Sequence, residues 1–179
     1  MKSATHANRG KGFEGVVAAM HLVYTTQRRA SITRSPTPYK VLGPGTRAGE
    51  LRVVPEAKGA PDYFVQAARR SIVLDAKDTT AEKWALSNLH EHQAQRFTAH
   101  ERQGGFAFVL LHMLGEHWLL PWDSSTPNSL HEWWTTWDAG TAKRGRAALT
   151  VDACDEIGLH LPSVDYLNTA LAFCAKRAL

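Results

Sequence analysis

Gly59-Ala60-Pro61-Asp62-Tyr63-Phe64-Val65-Gln66-Ala67-Ala68-Arg69-Arg70-Ser71-Ile72-Val73-Leu74-Asp75-Ala76-Lys77-Asp78 decides the fold. Two β-rich runs, Tyr63–Gln66 and Ser71–Leu74, flank the short break Ala67–Arg70, a pattern that predicts a hairpin. Asp62 enters the first strand and Asp75 leaves the second, so pairing brings the two carboxylates to one end of the hairpin. Strand side chains repeat every two residues, which puts Asp75 and Lys77 on one face. Two acids and a lysine converging there suit a hard divalent cation beside a proton-handling amine. Pro-Asp followed by Asp/Glu-x-Lys is the pattern of metal-dependent nucleases. An exposed Asp–Lys pair on a strand is otherwise only a solvated ion pair, worth little. The apolar run Ile72-Val73-Leu74 favours the first reading, because it puts the carboxylate at the mouth of a buried strand.

Outward from this stretch, a chain of 179 residues is expected to fold as one domain, 1–179, with a sizeable core. Its net charge of +4 leans towards a polyanionic partner. Cys154 and Cys174 form neither a metal-ligand spacing nor a disulfide framework. Met1–Lys11 lacks an apolar leader core and no run approaches membrane-spanning length, so a cytoplasmic setting without membrane contact is expected.

Upstream, Met1–Lys11 reads as a loose arm with Arg9 and Lys11 free to touch phosphates. From Gly12 to Arg29 apolar residues recur at helical spacing through Phe13, Val16, Val17, Met20 and Val23. Glu14 lies in the first turn, either a partner for the helix dipole or an additional acid near a metal. Ser31–Leu42 is extended and broken by Pro36 and Pro38. The excursion 34–58 has a Gly/Pro-rich tip and carries Arg34, Lys40, Arg47, Arg52 and Lys58 against Glu50 and Glu56. It is either a solvated loop or a basic finger that reaches into nucleic acid.

Downstream, Ser87 is a candidate N-cap for a helix Asn88–Gln103. His90 and His92 are i and i+2 on that helix, face different ways and make a poor zinc pair. Gln93 faces either the core or the site. Phe106–Met113 and Trp118–Trp122 read as strands, and strand–helix–strand in this order implies a crossover in a mixed sheet. Leu130–Trp137 reads as a helix capped by Asn128 or Ser129, with its tryptophans making core or dimer contacts rather than stacking on bases. Lys143-Arg144-Gly145-Arg146 is a basic loop, and Pro162 opens a last helix with the stripe Leu167, Leu171, Cys174.

Taken as an ordered set, several stretches resemble the RecU family of Holliday junction resolvases. They are Asn8-Arg9-Gly10-Lys11 with Glu14, Pro36-Thr37-Pro38, Asp62-Tyr63, Ile72 through Asp75-Ala76-Lys77, His90-Glu91-His92-Gln93, Gly104-Gly105-Phe106-Ala107-Phe108 and Val164-Asp165-Tyr166. The resemblance implies an α/β fold with a mixed central sheet flanked by helices, like a type II restriction endonuclease, with 34–58 as a projecting stalk. It implies a homodimer that cuts DNA four-way junctions with Mg²⁺ or Mn²⁺. It makes Asp62, Asp75 and the Ala76 carbonyl metal ligands, with Glu14 as the acid of the first helix, Lys77 as the catalytic lysine and Gln93 beside the site. Two departures stand out: Asp75 where the family mostly carries Glu, and Pro61 where it tends to have Thr. A nuclease acting on ordinary duplex DNA and a non-catalytic junction scaffold are the competing expectations. The intact acid–acid–lysine set speaks against the scaffold.

Overall fold

The computed structural model describes residues 6–36, 39–47, 49–55, 61–141 and 146–177, with only the backbone of 6–11 and 55. In chain order the helices are α1 (His6–Thr26), α2 (Glu91–Arg102), α3 (Leu130–Asp138), α4 (Val151–Ile157) and α5 (Leu167–Arg177). The strands are β1 (Ser31–Arg34), β2 (Tyr39–Pro44), β3 (Leu51–Pro55), β4 (Tyr63–Ala67), β5 (Arg70–Thr79), β6 (Trp84–Ala85), β7 (Phe106–Met113), β8 (Glu116–Trp122), β9 (Ala148–Leu149) and β10 (Leu159–Leu161).

A six-stranded sheet in the order β1-β4-β5-β7-β8-β10 forms the centre. Only β5 and β7 run parallel, joined over the sheet by α2, which is the expected crossover. The other neighbours are antiparallel, so the sheet is mixed. Strand β7 reads as a continuous apolar run because both its faces are covered. Phe108 and Leu110 join Phe13, Val17, Leu119 and Cys174 under α1 and α5. Ala107, Val109 and Leu111 pack on the opposite side with Phe97, Trp118, Trp134 and Cys154, beneath α2, α3 and α4. The tryptophans of α3 are core residues, as expected: Trp134 Nε1 donates to the Leu89 carbonyl at 2.9 Å and Trp133 Nε1 to Asn128 Oδ1 at 2.8 Å.

The central hairpin closes through Ala68 and Arg69, both left-handed at φ 46° and 61°. Two left-handed centres between the paired Ala67 and Arg70 match the right-handed twist of the strands. Neither residue is suited to that conformation, which costs a non-glycine residue about 1–2 kcal/mol. Ala68→Asn with Arg69→Gly should therefore raise stability by about 1–2 kcal/mol. A higher urea midpoint at unchanged m-value checks it.

Several boundaries differ from the sequence reading. The segment His6–Lys11 belongs to α1 rather than to a loose arm, and the helix ends at Thr26. Its buried stripe is Phe13, Val17, His21 and Tyr24, whereas Val16 and Val23 are exposed at 50% and 43%. Polar residues enter the stripe because the loop just before α5 supplies partners: His21 Nε2 meets Tyr166 Oη at 2.8 Å and Tyr24 Oη donates to Asp165 at 2.7 Å. Strand β5 runs four residues past Asp75 because β7 pairs with it to Thr79. The last helix starts at Leu167, not Pro162, which lies in the loop after β10. Strands β2 and β3 pair in a two-stranded sheet of their own, with a bulge between Val41 and Gly43. Among the described residues no helix is long and apolar enough to cross a membrane.

Candidate active site

Strand β4 starts at Tyr63, opposite Leu74, so β5 continues beyond its neighbour on that side. Asp62 fills the gap: its Oδ2 accepts the Ala76 N–H at 2.8 Å, where a longer β4 would have offered a backbone carbonyl. Pro61, which has no N–H to give a ladder, precedes it. Termination of β4 thus holds one acid beside the other.

Asp75 is fully buried. Its Oδ1 accepts from Gln93 Nε2 at 2.7 Å. Its Oδ2 lies 2.6 Å from Lys77 Nζ yet receives no aligned hydrogen bond. The ion pair confirms that Asp75 and Lys77 share a face. Lys77 Nζ also donates to Gln93 Oε1 at 3.3 Å.

Gln93 is placed by the start of α2. That helix begins at Glu91 with His90 as N-cap, three residues later than the sequence predicts, and a 3₁₀ turn at Leu86–Asn88 occupies the expected first turn. Ser87 is exposed and caps nothing. Gln93 Oε1 accepts the His90 N–H at 3.1 Å, so it serves as a capping side chain that also faces the site. As His90 lies outside the helix, its ring stacks on His92 at 5.6 Å instead of facing away.

The electrostatics follow from the crowding of acids. Burial, then the charge of Asp75, push the Asp62 carboxyl up to about 6; the Ala76 N–H and Lys77 oppose this, and Glu14 adds a little to the rise. Between pH 3.8 and about 6 the folded state therefore binds more protons at Asp62 than the unfolded chain does. Stability falls as pH rises through that window, and the penalty is complete above it. Asp62→Asn should raise the Tm of the metal-free protein at pH 8 by on the order of 3 °C, and the gain should fade towards pH 4. Thermal melts across pH check the sign.

The donor set tests whether a metal fits. Two carboxylates and a nearby backbone carbonyl are hard oxygen donors, which suit Mg²⁺ or Mn²⁺ rather than a soft metal. The buried Asp75 Oδ2 without an aligned donor agrees with such a ligand role. Among the described residues no three His, Cys, Asp or Glu side chains form a metal-holding group. Glu14 thus does not join the two aspartates; its Oε2 pairs with Arg34 at 2.6 Å on an exposed surface. Mg²⁺ commonly takes only one or two protein carboxylates, so the pair suffices.

The expected DNA-contact residues are scattered. Arg34 is committed to Glu14 at the end of β1. Lys40 and Arg52 are exposed on strands β2 and β3 and Arg47 between them. The side chains of Arg9 and Lys11, and all of Lys58 and of 143–145, lie outside the described residues. Arg146 packs over the Trp133 ring at 4.6 Å and is a structural contact.

Known proteins are similar to this chain along most of its length. The chain is 27% identical over 176 residues to the Holliday junction resolvase RecU of Bacillus pumilus, covering 92% of this chain and 81% of that protein. It is 31% identical over 122 residues to the RecU resolvase of Streptococcus suis, covering 64% of this chain and 60% of that one. For the Lactococcus lactis RecU resolvase the identity is 33% over 125 residues, 63% of this chain and 56% of that protein. A solved structure, the Holliday junction resolvase Hjc of Archaeoglobus fulgidus, superposes with a TM-score of 0.45 at 12% identity, covering 82% of this chain and 94% of Hjc. The family model described as Recombination protein U matches residues 8–171, and the chain belongs to that family.

Proposed function

We propose that this chain is a metal-dependent endonuclease that resolves four-way DNA junctions by paired, symmetric nicks made in a homodimer. The observation that carries the reading is the convergence of Asp62, Asp75, Lys77 and Gln93 at one point on β5. Family membership supplies the substrate class.

Asp62, Asp75 and the Ala76 carbonyl would hold Mg²⁺ or Mn²⁺, which supplies Lewis-acid stabilisation of the charge that develops on the phosphate. Asp62 must be ionised to serve, so activity rises with pH as that group loses its proton. Gln93 keeps Asp75 and Lys77 in register through one amide that bonds both. Lys77, once its ammonium has given its own proton to solvent, positions the attacking water and takes up the proton that the water releases. The water oxygen bonds to phosphorus as the bridging P–O bond opposite breaks, and the departing oxygen takes a proton from solvent. Lysine suits this role because its compact ammonium releases a proton more readily than a guanidinium.

A second copy supplies the second site, since a two-fold junction presents two equivalent strands. Helix α1 supports this. From Gly15 to Val23 its exposed positions carry no charge, and Val16 and Leu22 are exposed at 50% and 68%. The exposed Lys40, Arg47 and Arg52 support backbone recognition, which makes affinity fall steeply with salt.

The test is a labelled synthetic four-way junction beside a linear duplex built from the same arms, each with and without Mg²⁺. Symmetric nicks in the junction alone, and only with metal, are expected. Equal cutting of the duplex would favour a general nuclease, and no cutting in Mg²⁺ or Mn²⁺ a scaffold.

A further inference from the structure

Helix α2 covers only part of its face of the sheet. At the open edge, Ser31 and Thr33 of β1 and Phe64 and Gln66 of β4 remain exposed. Phe64 pairs with Val73 across the hairpin, and Val73, Asp75 and Lys77 alternate onto one face. The bare surface is therefore a continuation of the catalytic face.

A cavity of about 220 Å³ lies where this surface meets α2. Phe64 and Val73 line it from the sheet and Arg96, His100 and Gln103 from α2, and it extends to Pro61, the residue before Asp62. This is below the roughly 300 Å³ at which pockets for drug-sized ligands begin, and is nearer the scale of one planar group.

The chemistry of the lining narrows the occupant. Phe64 is 39% exposed on a strand whose alternate positions Tyr63, Val65 and Ala67 are buried, so its ring meets solvent where a polar residue would satisfy the pattern. Arg96 brings a cation, and no carboxylate lines the cavity among the described residues. His100 Nε2 lies 3.2 Å from the Ser71 carbonyl, which can only accept, so that nitrogen carries the hydrogen. The ring is held from behind by Gly105, where any Cβ would collide with it. A stacking surface, a cation and a fixed imidazole stand beside a site for phosphate.

We propose that this cavity takes one unpaired nucleobase of the strand being cut, stacked on Phe64 with Arg96 against a neighbouring phosphate. The proposal rests on the nuclease reading and deepens it into a source of selectivity. An intact duplex must break a base pair to fill the cavity, whereas bases at the branch point of a junction are already easier to unstack. Arg96 and His100 lie one and two turns after Gln93 on α2, so a single helix lines both the catalytic centre and the base pocket.

The test couples the protein to the missing base. Affinities of wild type, Phe64→Ala, Phe64→Leu and Phe64→Tyr are measured without metal on an intact junction. The measurement is repeated on junctions carrying one abasic residue at successive positions around the crossover. One abasic position should cost the wild type about tenfold in affinity and cost Phe64→Ala nothing, with Phe64→Tyr behaving as wild type. No position that couples to Phe64, or a Phe64→Leu protein indistinguishable from wild type, overturns the base pocket. If the wild type cuts junctions in Mg²⁺ but shows no coupling, the pocket alone fails. If the wild type neither binds nor cuts junctions, the nuclease reading fails and the pocket with it.

Discussion

Lys77→Ala is expected to lower junction cleavage by about 10³-fold at saturating Mg²⁺ while junction binding persists. The ammonium sits 2.6 Å from Asp75 and 3.3 Å from Gln93, with only 18% of its side chain exposed, so nothing else occupies its position. Removing it also leaves Asp75 buried without its counter-ion, which weakens the fold and alters metal affinity. Working at saturating metal, on protein shown to be folded by its melt, separates these effects from chemistry. A loss of kcat that survives both controls assigns Lys77 to the reaction; wild-type turnover would refute the assignment. Lys77→Arg should not rescue, because a planar guanidinium neither fits a site shaped for an ammonium nor gives up its proton.

Asp75→Asn is the second large effect, and its most direct readout requires no DNA. A cation that binds the folded state alone raises stability by mass action, by about 2.7 kcal/mol at a hundredfold excess over Kd. For a chain of this size that is a rise of roughly 5 °C or more in Tm. Wild type should show this Mg²⁺-dependent rise, and Asp75→Asn should show almost none. Cleavage should fall with it by about 10³-fold or more. Asparagine keeps the shape and can still accept from Gln93, so the change isolates the charge. It also relieves Asp62, whose carboxyl Asp75 helps to raise to about 6. The pH at which Asp62 ionises should therefore move down in the variant, which titration of the metal-free protein can follow. An unchanged Mg²⁺ shift in Asp75→Asn would place the metal elsewhere.

The hairpin, the acid pair and the lysine were legible in the sequence because each depends on short-range rules. Alternation every two residues places Asp75 beside Lys77 wherever a strand forms, and a short break between β-rich runs makes a hairpin. The buried runs of β7 and β8 and the cap of α3 at Ser129 are equally local. The sequence could not say which way Gln93 faces, because that follows from a helix start set by a 3₁₀ turn and by the His90 N–H. Nor could it place Glu14, an acid claimed by Arg34 from a strand 20 residues away.

Apolar periodicity misread α1 for a related reason. It listed the exposed Val16 and Val23 among the recurring apolar residues and passed over His21 and Tyr24, whose partners Tyr166 and Asp165 lie just before α5 near the far end of the chain. Phe64 gave no signal, since a phenylalanine in a strand looks like core until α2 is seen to stop short of it. The amino-acid order by itself determined which side chains alternate onto one strand face, because backbone geometry permits only that period. Only the tertiary structure decided which of those faces α2 covers and which stays exposed, because coverage depends on contacts between residues far apart in the chain.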